Sequence, residues 1–337
     1  MGKNIVKVAL FGLGRIGQMH AKNLISHPKF KLISVYDIDK NLSKKLSKKF
    51  KCLNIENPNI AMKDKNTDVI FIATSTSTHL KFIEQAVKNK KIVFCEKPLD
   101  LTLEKIEKCK RKIKKHNPKI QIGFNRRYDP GHNLLKEKLL KGKIGKLEKI
   151  IITSRDPAPP SIKYLKESGG IFKDMMIHDF DLVRFYLGKD EPINLIATAS
   201  NISDKRFNKI KDHELATSVI KSKNGVQCII TNSRHCSFGC DQRVELFGSK
   251  GMIISENKRQ NEASLYVNNS TSNKAPLMNF FVERYKEAYK NQLEDFSKYI
   301  KKNIKPLAQF EEGRRALIMS NSAKKSLKTK KIEKLKF

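Results

Sequence analysis

The chain has 337 residues, of which 39% are hydrophobic, so it is long enough for two domains. No segment approaches the roughly 18 consecutive apolar residues of a membrane span, and no membrane partner is expected. The net charge of +35 raises nucleic acid as a partner. Most basic residues, however, are lysines spread along the chain without interleaved aromatic residues. We therefore attribute the charge to composition and solvated faces, and expect no nucleic-acid partner.

The N-terminus and the cysteines indicate the cellular compartment. Segment 1–7 leads into an apolar strand without the layout of a signal peptide. The six cysteines form no CxxC pair and no two-plus-two metal spacing, and Cys236 and Cys240 form only a CxxxC, which is a weak metal signal. We expect a reduced, cytoplasmic protein without a bound metal.

Residues 5–124 alternate strands and helices, which is the pattern of a parallel sheet with helices on both faces. The expected strands are 6–11, 30–36, 69–73, 92–95 and 120–124, and the expected helices are about 14–26, 78–89 and 103–115. The stretch 51–67 is not assigned. These strands are apolar enough to be buried on both faces.

The pattern changes after residue 124. A basic helix is followed by strand-like runs at 147–154, 193–200, 214–221, 226–232, 243–247 and 252–255. One helix of about 171–187 interrupts them, and two long helices near 281–302 and 310–325 end the chain. We predict an α/β chain with a dinucleotide-binding domain over 1–124 and an α+β domain with a large open, mainly antiparallel sheet over 125–337. The last helix is a candidate for packing back on the first domain.

A glycine motif lies between the first strand and the first helix. Gly12, Gly14 and Gly17 form GxGxxG around Leu13, Arg15 and Ile16. The first glycine permits a tight turn, the second allows a pyrophosphate to approach the backbone, and the third lets helix and strand pack closely. An ordinary glycine turn is the alternative, but the flanking strand and helix favour a dinucleotide site.

Asp37 ends the second strand, 20 residues beyond Gly17. A carboxylate there accepts hydrogen bonds from a ribose diol and repels a 2′-phosphate. Ile38 follows, so no arginine or serine is adjacent to receive that phosphate. NAD is favoured over NADP, although Asp37 and Asp39 could also simply begin a loop.

Two further strand ends carry polar residues at the edge where ligands collect in this kind of sheet. Thr78 is a candidate either for the cofactor cleft or for a helix N-cap. Lys97 follows the strand 92–95, which aims it at the cleft, and Pro98 stiffens the turn. The residues expected at the cofactor are Gly12, Gly14, Arg15, Ile16, Gly17, Asp37, Ala73, Thr74, Ser75, Thr78, His79, Glu96 and Lys97.

A second cluster begins at Gly169-Gly170. Asp174 and His178 are four residues apart, so one helix would place them on one face. An aspartate beside an imidazole holds its tautomer and raises its basicity, as a base for an alcohol proton requires. An ordinary surface pair on an amphipathic helix is the alternative.

These motifs together resemble the glucose–fructose oxidoreductase/inositol dehydrogenase/rhizopine-catabolism (Gfo/Idh/MocA) family. The resemblance rests on the GxGxxG, on Glu96-Lys97-Pro98 and on Gly169-Gly170-(x)3-Asp174-(x)3-His178-Asp179. It covers most of the chain in the family's order and spacing. The segments 125–129, 154–156 and 281–289 resemble the inositol 2-dehydrogenase branch.

The resemblance implies a Rossmann domain, NAD as cofactor and a second domain whose open sheet is often buried in a homo-oligomer, a dimer or tetramer. It implies Lys97, Asp174 and His178 as the catalytic set, in which His178 takes the hydroxyl proton, Asp174 orients it and Lys97 polarises the oxygen. Whether Lys97 or His178 is the formal base stays open. The residues expected at the substrate are Lys97, Arg127, Asp156, Asp174, His178 and Tyr285.

The expected activity is oxidation of a secondary ring hydroxyl of a cyclic polyol, with myo-inositol or scyllo-inositol as leading substrates. A related oxidoreductase for another pyranose or inositol derivative is the first alternative. A non-catalytic NAD-sensing or nucleic-acid-binding protein on the same fold is the remote one, motivated by the charge. The intact Lys97, Asp174 and His178 set argues against it, because a sensor needs no base.

Overall fold

The computed structural model describes residues 5–337, and residues 1–4 of the N-terminal segment 1–7 lie outside the described residues. The chain forms two compact units. The first runs to Asn125 and also includes Tyr289–Arg314. The second comprises Arg126–Ala288 and Arg315–Phe337. Each unit therefore contains a segment from the C-terminal part of the chain.

Strands and helices follow one another along the whole of residues 5–337. In chain order, the strands are β1 (Val6–Phe11), β2 (Phe30–Tyr36), β3 (Leu53–Asn54), β4 (Val69–Ile72), β5 (Ile92–Cys95), β6 (Ile120–Ile122), β7 (Leu147–Arg155), β8 (Pro192–Ser200), β9 (Leu215–Ser222), β10 (Gln227–Ser233), β11 (Asp241–Gly248), β12 (Gly251–Ser255), β13 (Ser264–Val267), β14 (Ser270–Lys274) and β15 (Glu333–Lys334). The helices are α1 (Arg15–Ser26), α2 (Lys40–Phe50), α3 (Pro58–Lys63), α4 (Thr76–Lys88), α5 (Leu103–Lys114), α6 (Pro130–Leu140), α7 (Ile162–Ser168), α8 (Ile171–Asp174), α9 (Ile177–Leu187), α10 (Arg206–Lys209), α11 (Phe281–Arg284), α12 (Lys286–Lys302) and α13 (Phe310–Thr329).

The first unit is built on a six-stranded sheet in the order β3-β2-β1-β4-β5-β6, with all neighbours parallel. This is the strand order of a Rossmann fold, whose ligand site lies at the carboxyl ends of the strands beside the β1–β4 switch point. The sheet is buried on both faces, and Phe71 and Phe94 stack at 4.0 Å between ring centroids. Leu293 and Phe296 of α12 complete this core.

The second unit is built on a seven-stranded sheet in the order β12-β11-β7-β10-β9-β8-β15. Its neighbours are antiparallel except for β7 and β10, which are parallel. Strand β9 alternates buried and less buried residues, as expected for a sheet with one covered face. Phe180 of α9 and Met319 and Ala323 of α13 belong to the core that covers this face.

The predicted fold class is confirmed, and two predicted helices are wrong in their continuity. The predicted helix 171–187 is two helices, because the backbone leaves the regular ladder at Met175–Met176. There Met176 N donates to Ile171 O, five residues back, and His178 N donates to Met175 O at 3.3 Å, three residues back. The predicted helix 281–302 is likewise interrupted, at Tyr285, between α11 and α12. Neither break contains glycine or proline, so no local breaker in the sequence reveals it.

No helix within residues 5–337 has the length and apolar character needed to cross a membrane. In the same residues, no cluster of three or more His, Cys, Asp or Glu side chains could hold a metal ion. The cysteines are free thiols, five of them buried.

Candidate active site

The three glycines of the turn between β1 and α1 differ in how much space surrounds them. Gly12 has φ +92°, and a Cβ there would lie 2.4 Å from the Ala73 carbonyl oxygen. A Cβ on Gly17 would lie 1.9 Å from the Gly12 carbonyl oxygen, so this glycine is required for helix and strand to pack. A Cβ on Gly14 would meet no heavy atom within 4 Å. The space above Gly14 is therefore open to a ligand that approaches the backbone closely.

The start of α1 and the end of β2 complete this turn. Gly14 is the N-cap of α1 and has no side chain, so the first amide groups of the helix receive no cap hydrogen bond from it. Such a helix end attracts an anion. Asp37 accepts a hydrogen bond from Leu13 N at 2.6 Å and another, through its other oxygen, from Asp39 N at 2.9 Å. The carboxylate holds the glycine loop and retains acceptor capacity for a ribose diol. This turn fits a dinucleotide.

The loop after β4 is tied to the loop after β5 by a buried histidine. The His79 Nδ1 lies 2.7 Å from Pro98 O, and its Nε2 lies 3.0 Å from Thr74 O. Burial lowers the pKa of His79, and the two carbonyl groups act in the opposite direction. This ring is 1% exposed, so its part in cofactor binding, which stays a prediction, would be to position the two loops. The Thr78 hydroxyl bonds to the Thr74 hydroxyl at 2.7 Å and donates to Ser75 O.

Lys97 lies directly beyond β5, in a loop organised by Glu96. One Glu96 oxygen accepts from Lys97 N at 3.2 Å, and the other is 2.7 Å from His20 Nε2. His20 is fully buried on α1, against Phe71 at 4.6 Å between ring centroids. A Cβ at Gly123 would lie 2.6 Å from Glu96 Oε2, the oxygen that accepts from Lys97 N, so the neighbouring loop leaves room only for glycine. The Lys97 backbone is therefore fixed from the interior of the first unit.

In the second unit, Asp174 ends α8 and is nearly buried. One of its oxygens accepts from the Tyr164 hydroxyl at 2.7 Å, and the other accepts from Arg234 Nη1 at 3.1 Å. Burial and the carboxylate of Asp174 raise the pKa of Tyr164, so this phenol stays a proton donor. Two donors of different type thus fix the plane of the Asp174 carboxylate.

His178 is the second residue of α9 and is half-buried. The i, i+4 relation to Asp174 does not come from one continuous helix, because α8 and α9 are separate. The turn at Met175–Met176 determines where the imidazole lies relative to the carboxylate. Buttressing of His178 by Asp174 stays a prediction.

The three other residues expected at the substrate have different surroundings. Arg127 donates from Nε and Nη2 to the Asp181 carboxylate, both at 2.7 Å, and is buried. Tyr285 is buried, donates to Gln242 Oε1 at 3.2 Å, and has a pKa raised by burial. Asp156 follows β7 and is half-buried. Their roles at a substrate stay predictions.

The positions of the expected residues fall into two groups. The glycine turn, Asp37, the 73–79 loop and the Glu96-Lys97 pair all follow strands β1, β2, β4 and β5 of the first unit at their carboxyl ends. Asp174, His178, Arg127, Asp156 and Tyr285 all belong to the second unit. The predicted set of Lys97, Asp174 and His178 therefore draws on both units.

Comparison with known families gives two adjoining matches. Residues 6–124 match the model described as "Oxidoreductase family, NAD-binding Rossmann fold", and residues 132–254 match the "GFO/IDH/MocA C-terminal domain". The chain is also 36% identical over 326 residues to inositol 2-dehydrogenase of Rhizobium meliloti, which covers 97% of this chain and 98% of that protein.

The chain belongs to the Gfo/Idh/MocA oxidoreductase family.

Two further similarities concern members of this family. Myo-inositol 2-dehydrogenase of Thermotoga maritima is 37% identical over 334 residues, with 98% of each chain covered. A structure of scyllo-inositol dehydrogenase from Lactobacillus casei with bound NAD(H) and scyllo-inositol is 26% identical, has a TM-score of 0.90, and covers 98% of this chain and 99% of that chain.

This Gfo/Idh/MocA oxidoreductase has residues around Asp174 that sequence reasoning missed. Tyr164, Asp212 and Arg234 lie in segments far apart in the chain, on α7, before β9 and after β10. Residue type alone does not single out one tyrosine or arginine among many. The prolines at 157, 159 and 160, just before α7, indicated a stiff loop but not the tyrosine behind it.

A second buried network was partly visible in the sequence. Asp179 accepts from Arg126 Nη1 at 2.5 Å, from Ser154 Oγ at 2.8 Å and from Asn232 Nδ2 at 2.8 Å. The segments containing Arg126, Ser154 and Asp179 all carried the resemblance to the family. Their mutual contact depends on the sheet and could not be read from spacing.

Proposed function

We propose that this protein oxidises a secondary ring hydroxyl of myo-inositol or scyllo-inositol to the corresponding inosose, with NAD as its cofactor. The observation that carries the proposal is the presence of Lys97, Asp174 and His178 in a chain that aligns over 97% of its length with an inositol 2-dehydrogenase. The ligands of the Lactobacillus casei structure, NAD(H) and scyllo-inositol, support the same substrate class.

The first unit would hold the dinucleotide at the glycine turn. The open space above Gly14 and the start of α1 suit the pyrophosphate, and Asp37 suits the ribose diol. When bound, NAD supplies the hydride acceptor. Arg15, Ile16, Ala73, Thr74, Ser75 and Thr78 would line the same edge, and His79 would hold the two loops in place.

The second unit would supply the proton acceptor. His178 would take the hydroxyl proton, and Asp174, held by Tyr164 and Arg234, would fix the tautomer of the imidazole and stabilise the imidazolium. Lys97 would donate a hydrogen bond to the reacting oxygen. A second assignment, in which Lys97 is the formal base, uses the same three residues.

The remaining hydroxyls of the ring would be recognised by polar groups of the second unit. Asp156 is the half-buried carboxylate among the candidates and suits a vicinal diol. Arg127 and Tyr285 are already engaged by Asp181 and Gln242, so they would contribute through their remaining hydrogen-bonding capacity.

The proposal includes an assembly and a location. The outer face of the seven-stranded sheet exposes Ile196, Val219, Phe247 and Met252, an apolar surface suited to a second copy of the chain. We propose a homo-oligomer, a dimer or homotetramer, that acts in the cytoplasm in inositol catabolism and carbohydrate metabolism. Residues 1–124 would be its NAD-binding domain, joined in one compact unit by Tyr289–Arg314, and the rest of residues 125–337 would be its substrate-binding and oligomerisation domain.

The test is turnover of a substrate panel by the purified protein. At saturating NAD, we expect NADH formation at 340 nm with myo-inositol or scyllo-inositol, and a loss of about two or more orders of magnitude in kcat/KM in His178→Ala and in Lys97→Ala. NAD binding, measured by calorimetry, should persist in His178→Ala. Turnover of a pyranose but of no inositol would transfer the assignment to the related sugar oxidoreductase. No turnover of any polyol or aldose with NAD or NADP would overturn it.

A further inference from the structure

We propose that Arg234 and Asp212 form a charged pair behind Asp174, and that the electrostatic field of this pair sets the proton affinity of the proposed base, His178. The inference rests on the proposed function for its chemistry, but it can be tested without turnover. Arg234 and Asp212 are positioning residues in this proposal, because they act through Asp174.

The geometry of the cluster comes first. Arg234 is 1% exposed, and its guanidinium faces two carboxylates, with Nη1 3.1 Å from Asp174 Oδ2 and Nη2 3.4 Å from Asp212 Oδ2. The other Asp212 oxygen accepts from Ile171 N at 2.9 Å, in the first turn of α8. Asp212 thus binds both the arginine and the helix that carries Asp174.

Gly170 shows that this arrangement is tightly packed. Its φ is +86°, and a Cβ there would lie 2.9 Å from Asp212 Oδ1. Gly170 is therefore needed for the approach of Asp212, and both Gly169 and Gly170 have the positive φ that the turn requires. The Gly170 position of the motif and the Asp212 carboxylate are therefore structurally coupled.

The guanidinium of Arg234 faces two carboxylates, those of Asp174 and Asp212. The other group on Asp174, the Tyr164 hydroxyl, is neutral because burial and Asp174 raise its pKa. Arg234 weakens the negative field of Asp174, and Asp212 restores part of it. A nearby negative field favours an imidazolium, and a positive one disfavours it.

Other charged or titratable groups surround the cluster and stay constant between the variants below. They are Tyr164 on α7, Asp156 after β7, Lys173 beside Asp174 in the chain, and His213 beside Asp212. Removing Arg234 or Asp212 therefore changes one charge in a fixed set. The two removals change the field at His178 in opposite directions.

The experiment is a histidine NMR titration of the full chain, with the His178 ring signal assigned from the spectrum of His178→Gln. In Asp212→Asn, we expect the His178 titration midpoint to fall by about half a pH unit, the size expected for a partly screened charge at this range. In Arg234→Met, we expect it to rise by a similar amount. Arg234→Lys keeps the charge and should restore the wild-type midpoint.

Glu191→Gln is the matched control, since Glu191 is also a carboxylate paired with arginines in the second unit, beyond the far end of α9. We expect no shift of His178 in this variant. Shifts of the same sign in Asp212→Asn and Arg234→Met, or no shift in Asp212→Asn, would overturn the proposal. Opposite shifts in a protein that oxidises no inositol would support the electrostatic effect of Arg234 and Asp212 on His178, but they would contradict the proposed function. Should Arg234→Met not fold, Asp212→Asn and Arg234→Lys still decide the question.

Discussion

The two units of this protein prepare their functional groups in different ways. In the first unit, the expected binding groups are mainly backbone atoms of one short segment, shaped by Gly12, Gly14 and Gly17. In the second unit, the expected groups are side chains, and its buried carboxylates are fixed by partners from distant strands and helices. Asp174 is held by Tyr164 and Arg234, and Asp179 by Arg126, Ser154 and Asn232.

The difference follows from the chemistry that each unit would perform. A pyrophosphate needs several amide donors at close range, which a glycine turn at a helix N-terminus provides locally. A proton acceptor needs a defined orientation and a defined field, which in a protein interior requires paired charges and satisfied hydrogen bonds. We therefore expect substitutions in the first unit to act through shape and those in the second through charge.

The largest expected effect tests whether substitutions in the second unit act through charge. Asp179→Asn keeps the shape of the side chain but leaves the buried Arg126 guanidinium without its carboxylate. Burial raises the pKa of Asp179, and Arg126, Asn232 and Ser154 act in the opposite direction. We expect the free energy of unfolding to fall by about 3–5 kcal/mol in urea melts.

Asp204→Asn is the control for this variant, because Asp204 pairs with Arg206 at the protein surface. No measurable loss of stability is expected there. Equal stability of Asp179→Asn and Asp204→Asn would show that paired charge is not what holds the second unit together.

The next prediction compares the effects of substituting two glycines of the first unit on stability and on NAD affinity. Gly17→Ala places a Cβ against the Gly12 carbonyl oxygen. We therefore expect the free energy of unfolding to fall by about 1–3 kcal/mol, and the NAD affinity to fall with it. Gly14→Ala meets no protein atom, so its melting temperature should be that of the wild type. Its NAD affinity should still fall about tenfold or more, because the methyl group fills the space for the pyrophosphate.

Calorimetric titration with NAD and thermal melting of the same samples measure both quantities. If Gly14→Ala binds NAD as the wild type does, the open space above this residue is not the pyrophosphate site. If Gly17→Ala melts normally, the close approach of α1 to β1 is not limiting.

The smallest effect concerns a buried histidine of the second unit. Burial lowers the pKa of His132 to about 3, from an ordinary value of 6.5. Between these two values, the unfolded chain binds a proton that the folded chain does not, so folding stability falls as the pH falls. One such group contributes about 1.4 kcal/mol per pH unit in this window.

His132→Gln can still meet Ser255 Oγ, to which the His132 Nδ1 is hydrogen-bonded at 3.0 Å. Urea melts between pH 6.5 and 5, where most carboxylates stay ionised, should show a shallower loss of stability in the variant. Parallel curves for the two proteins would mean that His132 does not contribute to acid sensitivity.

Much of the site could be predicted because its motifs are local. The GxGxxG motif lies in the turn between β1 and α1, and Asp37 directly follows β2, so both positions could be predicted from neighbouring residues. The relation of Asp174 to His178 was harder, since the break at Met175–Met176 leaves no mark in the apolar pattern. Arg234 and Tyr164 could not be found, because a single arginine or tyrosine has no spacing to recognise.

The sequence by itself determined five of the six strands in the sheet of the first unit, its helices α1, α4 and α5, the glycine turn, and the residue types of the candidate catalytic set. It did not assign α2, β3 or α3. Periodicity, turn residues and short motifs are properties of residues that are neighbours in the chain, so they can be read directly from the sequence. Only the tertiary structure decided which carboxylate meets which guanidinium, as in Asp174 with Arg234 and Asp179 with Arg126. Those pairs are formed when separate segments are buried together, and the cost of burying an unpaired charge selects the partner.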